Sequence, residues 1–93
     1  MPDFAREEVL EIAHKLIDAN LQGLDLSGAN LHKANLIKAD LSRTDLRRTD
    51  LSRAHLRGAD LIGIIMRAAD LSEAKYDKNT RFPEGDDPGA GAW

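Results

Sequence analysis

The side chains of this 93-residue chain that could do chemistry are three histidines, four serines and a set of aspartates. A metal ion would need His14, His32 and His55 to converge, and nucleophilic catalysis would need a base beside Ser27, Ser42, Ser52 or Ser72. General acid–base work would need two carboxylates facing across a cleft. The placement of these residues argues against all three. Ser27, Ser42, Ser52 and Ser72 share one polar position of a repeat, and Asp40, Asp45, Asp50, Asp60 and Asp70 share another. No base is expected beside the serines, and the histidines belong to different elements. The glycines do not form a phosphate-cradling turn between a strand and a helix. With no cysteine, thiolate ligation and disulfides are absent as well. The sequence predicts no catalytic residue, no metal site, no cofactor and no small-molecule substrate.

The element that positions these side chains is a repeat of five. Residues 19–78 read ANLQG, LDLSG, ANLHK, ANLIK, ADLSR, TDLRR, TDLSR, AHLRG, ADLIG, IIMRA, ADLSE and AKYDK. Position i of each unit is held by Leu21, Leu26, Leu31, Leu36, Leu41, Leu46, Leu51, Leu56, Leu61, Met66, Leu71 and Tyr76, the expected structural core. Position i−2 is mostly Ala, and i−1 is mostly Asp or Asn. On an α-helix five residues advance about 500°, so successive leucines never line one face. A straight strand fails too, because an odd period sends alternate leucines to opposite sides. Positions i−2 and i do share one side of an extended segment. The pattern is satisfied when the chain turns a corner between units and stacks on copies of itself. Leu24, Thr44 and Ile64 replace Ala at i−2 with a spacing of twenty. That spacing suggests four units per turn, hence about three coils, stacked roughly 4.8 Å apart.

The Ala-Asp/Asn-Leu-x-x unit resembles that of the pentapeptide-repeat family, and the likeness covers residues 19–78. It implies an all-β solenoid, a right-handed quadrilateral β-helix with i and i−2 inside and i−1, i+1 and i+2 outside. The segment from Tyr76 to Gly85 also looks like the ending of many cyanobacterial-type members. Two units, Ile64 to Ala68 and Ala74 to Lys78, depart from the family pattern.

Three parts are expected: a capping α-helix over 1–18, the repeat body over 19–78, and a closing segment with a flexible tail over 79–93. Over residues 3–18, Ala5, Val9, Leu10, Ile12, Ala13, Leu16 and Ile17 fall on one helical face. Laid across the first coil, that face would hide Leu21 and Leu26 and block end-to-end polymerisation. At the other end Phe82 is placed beneath Tyr76, with pairing of two copies as a homodimer through a partly bare end as the alternative. The longest apolar run, Ile64 to Met66, is too short to span a bilayer, and the N-terminus carries acids, so a cytoplasmic protein is expected. Charge is divided. Residues 1–18 carry five acids and two bases, residues 19–78 eight acids and ten bases, and residues 79–93 three acids and one base.

Stacking every fourth unit makes one wall unusual. It presents Arg47, Arg48 and Arg67, has Arg43 at its leading corner, and carries Ile65 where an acid or amide is the rule, with Ile62 across the edge. Arginines beside exposed β-branched residues suit a protein partner; the alternatives are a C-terminal tail that covers Ile65, or a distorted last turn in which Ile64 and Ile65 exchange roles. Arg43, Arg48 and Arg53 are also expected to offset repulsion between stacked aspartates. The resulting expectation is a non-enzymatic structural or protein-interaction module with an unidentified protein partner. The resemblance supplies an alternative, since some pentapeptide-repeat proteins mimic DNA on type II topoisomerases such as gyrase. A third reading is weak nucleic-acid binding through Arg43, Arg47, Arg48, Arg53 and Arg57, opposed by interspersed aspartates and missing stacking aromatics.

Overall fold

The computed structural model describes residues 15–83. Within that span the chain winds into four walls joined by tight turns. Each unit supplies one extended step and one corner. At each corner the i−2 N–H of the next unit donates to the Leu carbonyl three residues earlier, as Ala29 does to Leu26 at 3.1 Å. The third turn residue then takes a positive φ, 62° at Arg43, 60° at Arg48 and 63° at Ala68, as type II turns require.

Successive coils pair in parallel register. Wall 1 joins Asn20, Asp40, Asp60 and Arg81; wall 2 joins Asp25, Asp45 and Ile65; wall 3 joins Asn30, Asp50 and Asp70; wall 4 joins Asn35, His55 and Lys75. Four units per turn, read from the spacing of Leu24, Thr44 and Ile64, is therefore the observed period. Three bonds per unit tie one coil to the next. On wall 1, Leu21 N–H donates to Asp40 O at 2.8 Å, Asp40 N–H to Ala19 O at 2.9 Å, and Gly23 N–H to Ser42 O at 3.1 Å.

Inside, Leu16, Leu21, Leu26, Leu31, Leu36, Leu41, Leu46, Leu51, Leu56 and Leu61 are all fully buried, with the Ala of i−2 between them. Thr44 and Thr49 are buried at i−2 and spend their hydroxyls on carbonyls, Thr49 on Leu26 O at 2.7 Å. A buried hydroxyl needs such a partner.

Both ends differ from expectation. Leu16, assigned from the sequence to the helix, occupies an i position: Leu16 N–H donates to Asn35 O at 3.1 Å and Asp18 N–H to Ile37 O at 2.9 Å. Ile17 accordingly lies outside, 48% exposed, rather than on an apolar helix face. Coil bonding overrides the local helical pattern here. The remainder of the expected helix lies outside the described residues, and so does most of the tail.

At the far end the register slips by one. Asp60 pairs with Arg81, twenty-one residues on, and Thr80, Arg81 and Phe82 take positions i−2, i−1 and i. Asp77 closes the enlarged loop, its Oδ1 accepting from Asn79 N–H at 3.0 Å and from Gly58 N–H at 3.1 Å. Thr80 is buried and donates to Leu56 O at 2.8 Å. Gly58 has φ +70°, which glycine adopts without strain, and a Cβ there would press on Lys38 Cγ at 3.2 Å.

Three expected core residues fall short of burial. Met66 and Leu71 are half-buried and Tyr76 is 46% exposed. They face a coil above, and among the described residues none pairs below them. Phe82 meets Tyr76 edge-on at 5.4 Å between ring centroids, which covers part of that floor.

Candidate interaction surface

Each Asp or Asn at i−1 has one local task. The N–H of i+1 points away from both neighbouring coils, and the side chain two residues earlier accepts it: Ser52 N–H to Asp50 Oδ1 at 3.0 Å, Ser72 N–H to Asp70 at 2.9 Å, Ile62 N–H to Asp60 at 3.0 Å. The serines add their hydroxyls to the same oxygen, Ser42 to Asp40 at 2.6 Å and Ser27 to Asp25 at 2.5 Å. Hydrogen bonds from Ser52 hold the Asp50 carboxyl below the usual range, and those from Ser72 do the same for Asp70. For Asp40, burial pushes the other way, and bonds from Ser42 and Gln22 outweigh it.

Bonding of this kind, rather than Arg43, Arg48 or Arg53, stabilises the stacked carboxylates, with Arg47 added at Asp45 and Arg81 at Asp60. Of Arg43, Arg48 and Arg53, only Arg53 makes an ion pair among the described residues, and it does so with Glu73 at 2.8 Å. Arg47 pairs within its own unit, through Nε to Asp45 Oδ1 at 2.9 Å and Nη2 to Oδ2 at 2.6 Å. That bond places the Asp45 carboxyl below its ordinary value.

A base does stand beside one serine, contrary to expectation. His32 Nδ1 lies 2.7 Å from Ser52 Oγ, one coil away. Ser52 Oγ in turn lies 2.6 Å from Asp50 Oδ1. Its single proton goes to the carboxylate, so His32 donates to the serine oxygen and does not activate it. Nucleophilic catalysis needs the reverse order, with histidine between acid and serine. His14 lies outside the described residues. Among the described residues no three His, Asp or Glu side chains gather as a metal site, and no helix is long and apolar enough to cross a membrane.

Wall 2 and its corners carry the six residues singled out from the sequence. Arg47, Arg48 and Arg67 line one groove of about 510 Å³, together with Ser27, Gly28 and Ala68. Ile65 stands beside it on the same wall, 52% exposed. Arg43 and Ile62 lie at the opposite edge, where Arg43 N–H donates to Ile62 O at 3.0 Å and Ile62 is 40% exposed. The structure thus splits the set: Arg47, Arg48 and Arg67 converge, while Arg43 and Ile62 flank them across the wall. A second groove, of about 490 Å³, lies between Lys33, Arg53, His55, Glu73 and Lys75.

A four-sided stack with this inside-outside code defines a solenoid scaffold. The family model for pentapeptide repeats matches residues 15–53 and 49–75, in eight copies, and the chain belongs to that family. Its members fold as right-handed quadrilateral β-helices and are generally structural and non-enzymatic. Among solved structures, a pentapeptide repeat protein, Rfr23, from the cyanobacterium Cyanothece 51142 is 38% identical with a TM-score of 0.69. The match covers 70% of this chain and 44% of that one. HetL from the cyanobacterium Nostoc sp. strain PCC 7120, a pentapeptide repeat protein involved in heterocyst differentiation regulation, is 35% identical with a TM-score of 0.61. That match covers 62% of this chain and 28% of HetL. The chain therefore spans less than half the length of either relative. No curated protein matches the sequence.

Proposed function

We propose that this chain is a non-catalytic interaction module whose second wall meets a protein partner through Ile65 and the arginines beside it. One observation carries the reading: Ile65 is 52% exposed in a column where the two coils above place Asp25 and Asp45. An exposed β-branched residue next to guanidinium groups has the mixed character of interface cores. HetL's involvement in regulation supports reading a member of this family as a regulatory surface rather than an enzyme. The gyrase-mimic alternative asks for an acidic wall, whereas Arg43, Arg48 and Arg67 make no ion pair among the described residues, which favours the first reading.

Affinity capture with wild type, Ile65→Asp and Arg57→Glu tests it. Ile65→Asp restores the acid found elsewhere in the column and should leave the fold intact. The proposal expects a partner that Ile65→Asp loses and that Arg57→Glu, on wall 4, retains. Equal recovery by all three proteins removes wall 2 as the surface.

A further inference from the structure

The corner that follows wall 2 differs from the other corners in what its backbone leaves unsatisfied. Wherever Asp or Asn holds i−1, its oxygen takes the N–H two residues on; Ile65 has no such oxygen, and Arg67 N–H has no partner among the described residues. Ala68 N–H is also unpaired among them, and Ala68 sits at φ 63°. The Arg67 N–H points outward from the wall, as the i+1 N–H does at every corner, and is left free for a ligand oxygen, whereas the Ala68 N–H points along the axis, away from Arg48.

The side chains around those N–H groups are cationic. Arg47, Arg48 and Arg67 line the same groove as Ala68, and Gly28 and Ala68, on the coils above and below Arg48, add almost no side chain to it. Arg47 and Arg67 occupy one column in consecutive coils, so their backbones stand about 4.8 Å apart. The two acids of the same wall act on Arg47, Asp45 through a direct ion pair and Asp25 through its charge, and neither makes an ion pair with Arg48 or Arg67 among the described residues. Arg48 and Arg67 have no carboxylate partner among the described residues.

The geometry points to an oxyanion site in this groove that takes a phosphoryl group. Two unpaired guanidinium forks and the outward Arg67 N–H offer more donors than the two oxygens of a carboxylate can use. A phosphoryl group offers three oxygens, and the free ion four, with about one and a half to two negative charges, which suits that set. Inorganic phosphate alone can fill the site, so its titration is read independently of whether wall 2 meets a protein partner. The source of the phosphoryl group is either free inorganic phosphate or a phosphorylated side chain.

Titration of the ¹⁵N-labelled full chain with inorganic phosphate, against chloride at equal ionic strength, tests it. The expected result is saturable movement of the Arg67 and Ala68 amide signals. Arg48→Gln and Arg67→Gln should each weaken binding roughly tenfold, the loss of one charge-assisted hydrogen bond. Ile65→Asp, which fills the vacant N–H and adds a negative charge, should abolish binding while the spectrum stays folded. A phosphoserine peptide binding more tightly than inorganic phosphate assigns the site to a modified side chain; equal or weaker binding assigns it to the free ion. Acetate matching phosphate, unsaturable shifts, or undiminished binding by Ile65→Asp overturns the proposal.

Discussion

At the scale of single residues, the aspartates and asparagines of i−1 matter as acceptors before they matter as charges. Each takes an N–H that no neighbouring coil reaches, which explains why Asn20, Asn30 and Asn35 serve as well as Asp. Asp50→Ala should therefore lower stability by about 1 kcal/mol, the net worth of a typical hydrogen bond, while Asp50→Asn keeps the fold close to wild type in urea melts. The pH dependence follows from the same bonds. Asp45, Asp50 and Asp70 have folded pKa values below the ordinary carboxylate value. Their contribution is complete above about pH 4, where the unfolded groups also ionise, and is lost as pH falls through the lowered folded values. Urea midpoints should hold from pH 7 to pH 5 and fall between pH 4 and pH 2, less steeply for Asp50→Asn. Ala68 presents a Cβ at positive φ, so Ala68→Gly should raise stability by about 0.5 to 1 kcal/mol in the same assay.

Among the elements, the closing loop was the least legible part of the chain. Read in strict fives, residues 74–78 form a twelfth unit and the repeat stops. The chain instead inserts one residue between Tyr76 and Thr80, and Thr80, Arg81 and Phe82 then restore the code of i−2, i−1 and i. Thr80 matches Thr44 and Thr49 at i−2, a signal the sequence contains once a slip of one is allowed. Asp77 and Thr80 hold that slip through bonds to Gly58 N–H at 3.1 and 3.2 Å. Thr80→Val keeps the shape and removes the hydroxyl, and should cost about 1 to 3 kcal/mol because donors at Gly58 and Asp77 lose a buried acceptor. Differential scanning calorimetry reads that loss directly.

Over the whole molecule, burial is graded along the axis. Leu16 and Leu21 at the first coil are fully buried, whereas Met66, Leu71 and Tyr76 at the last are open to varying degrees. Leu46, with a coil above and below, should lose about 3 kcal/mol or more on substitution by Ala. Met66→Ala should lose roughly half of that or less, since its site is already part-solvated. Amide exchange should show the same gradient. Leu41, Leu46 and Leu51 donate to the next coil at 2.7 to 2.8 Å and should be the slow set. Met66, Leu71 and Tyr76 N–H make no bond among the described residues and should exchange fastest. Equal protection across both sets would contradict the open end.

The amino-acid sequence by itself determined the period, the inside-outside code, the four units per turn and the unusual chemistry of wall 2. These depend on short-range geometry, because alternation along an extended step and a turn every five residues act within one unit. Only the tertiary structure decided which coil has a neighbour. The partial exposure of Met66 and Tyr76, the meeting of His32 with Ser52, the slip at Arg81 and the N–H groups of Arg67 and Ala68 left without a partner among the described residues all depend on relations between residues about twenty positions apart. Stacking creates those relations, and a five-residue pattern carries no record of where the stack begins, slips or ends.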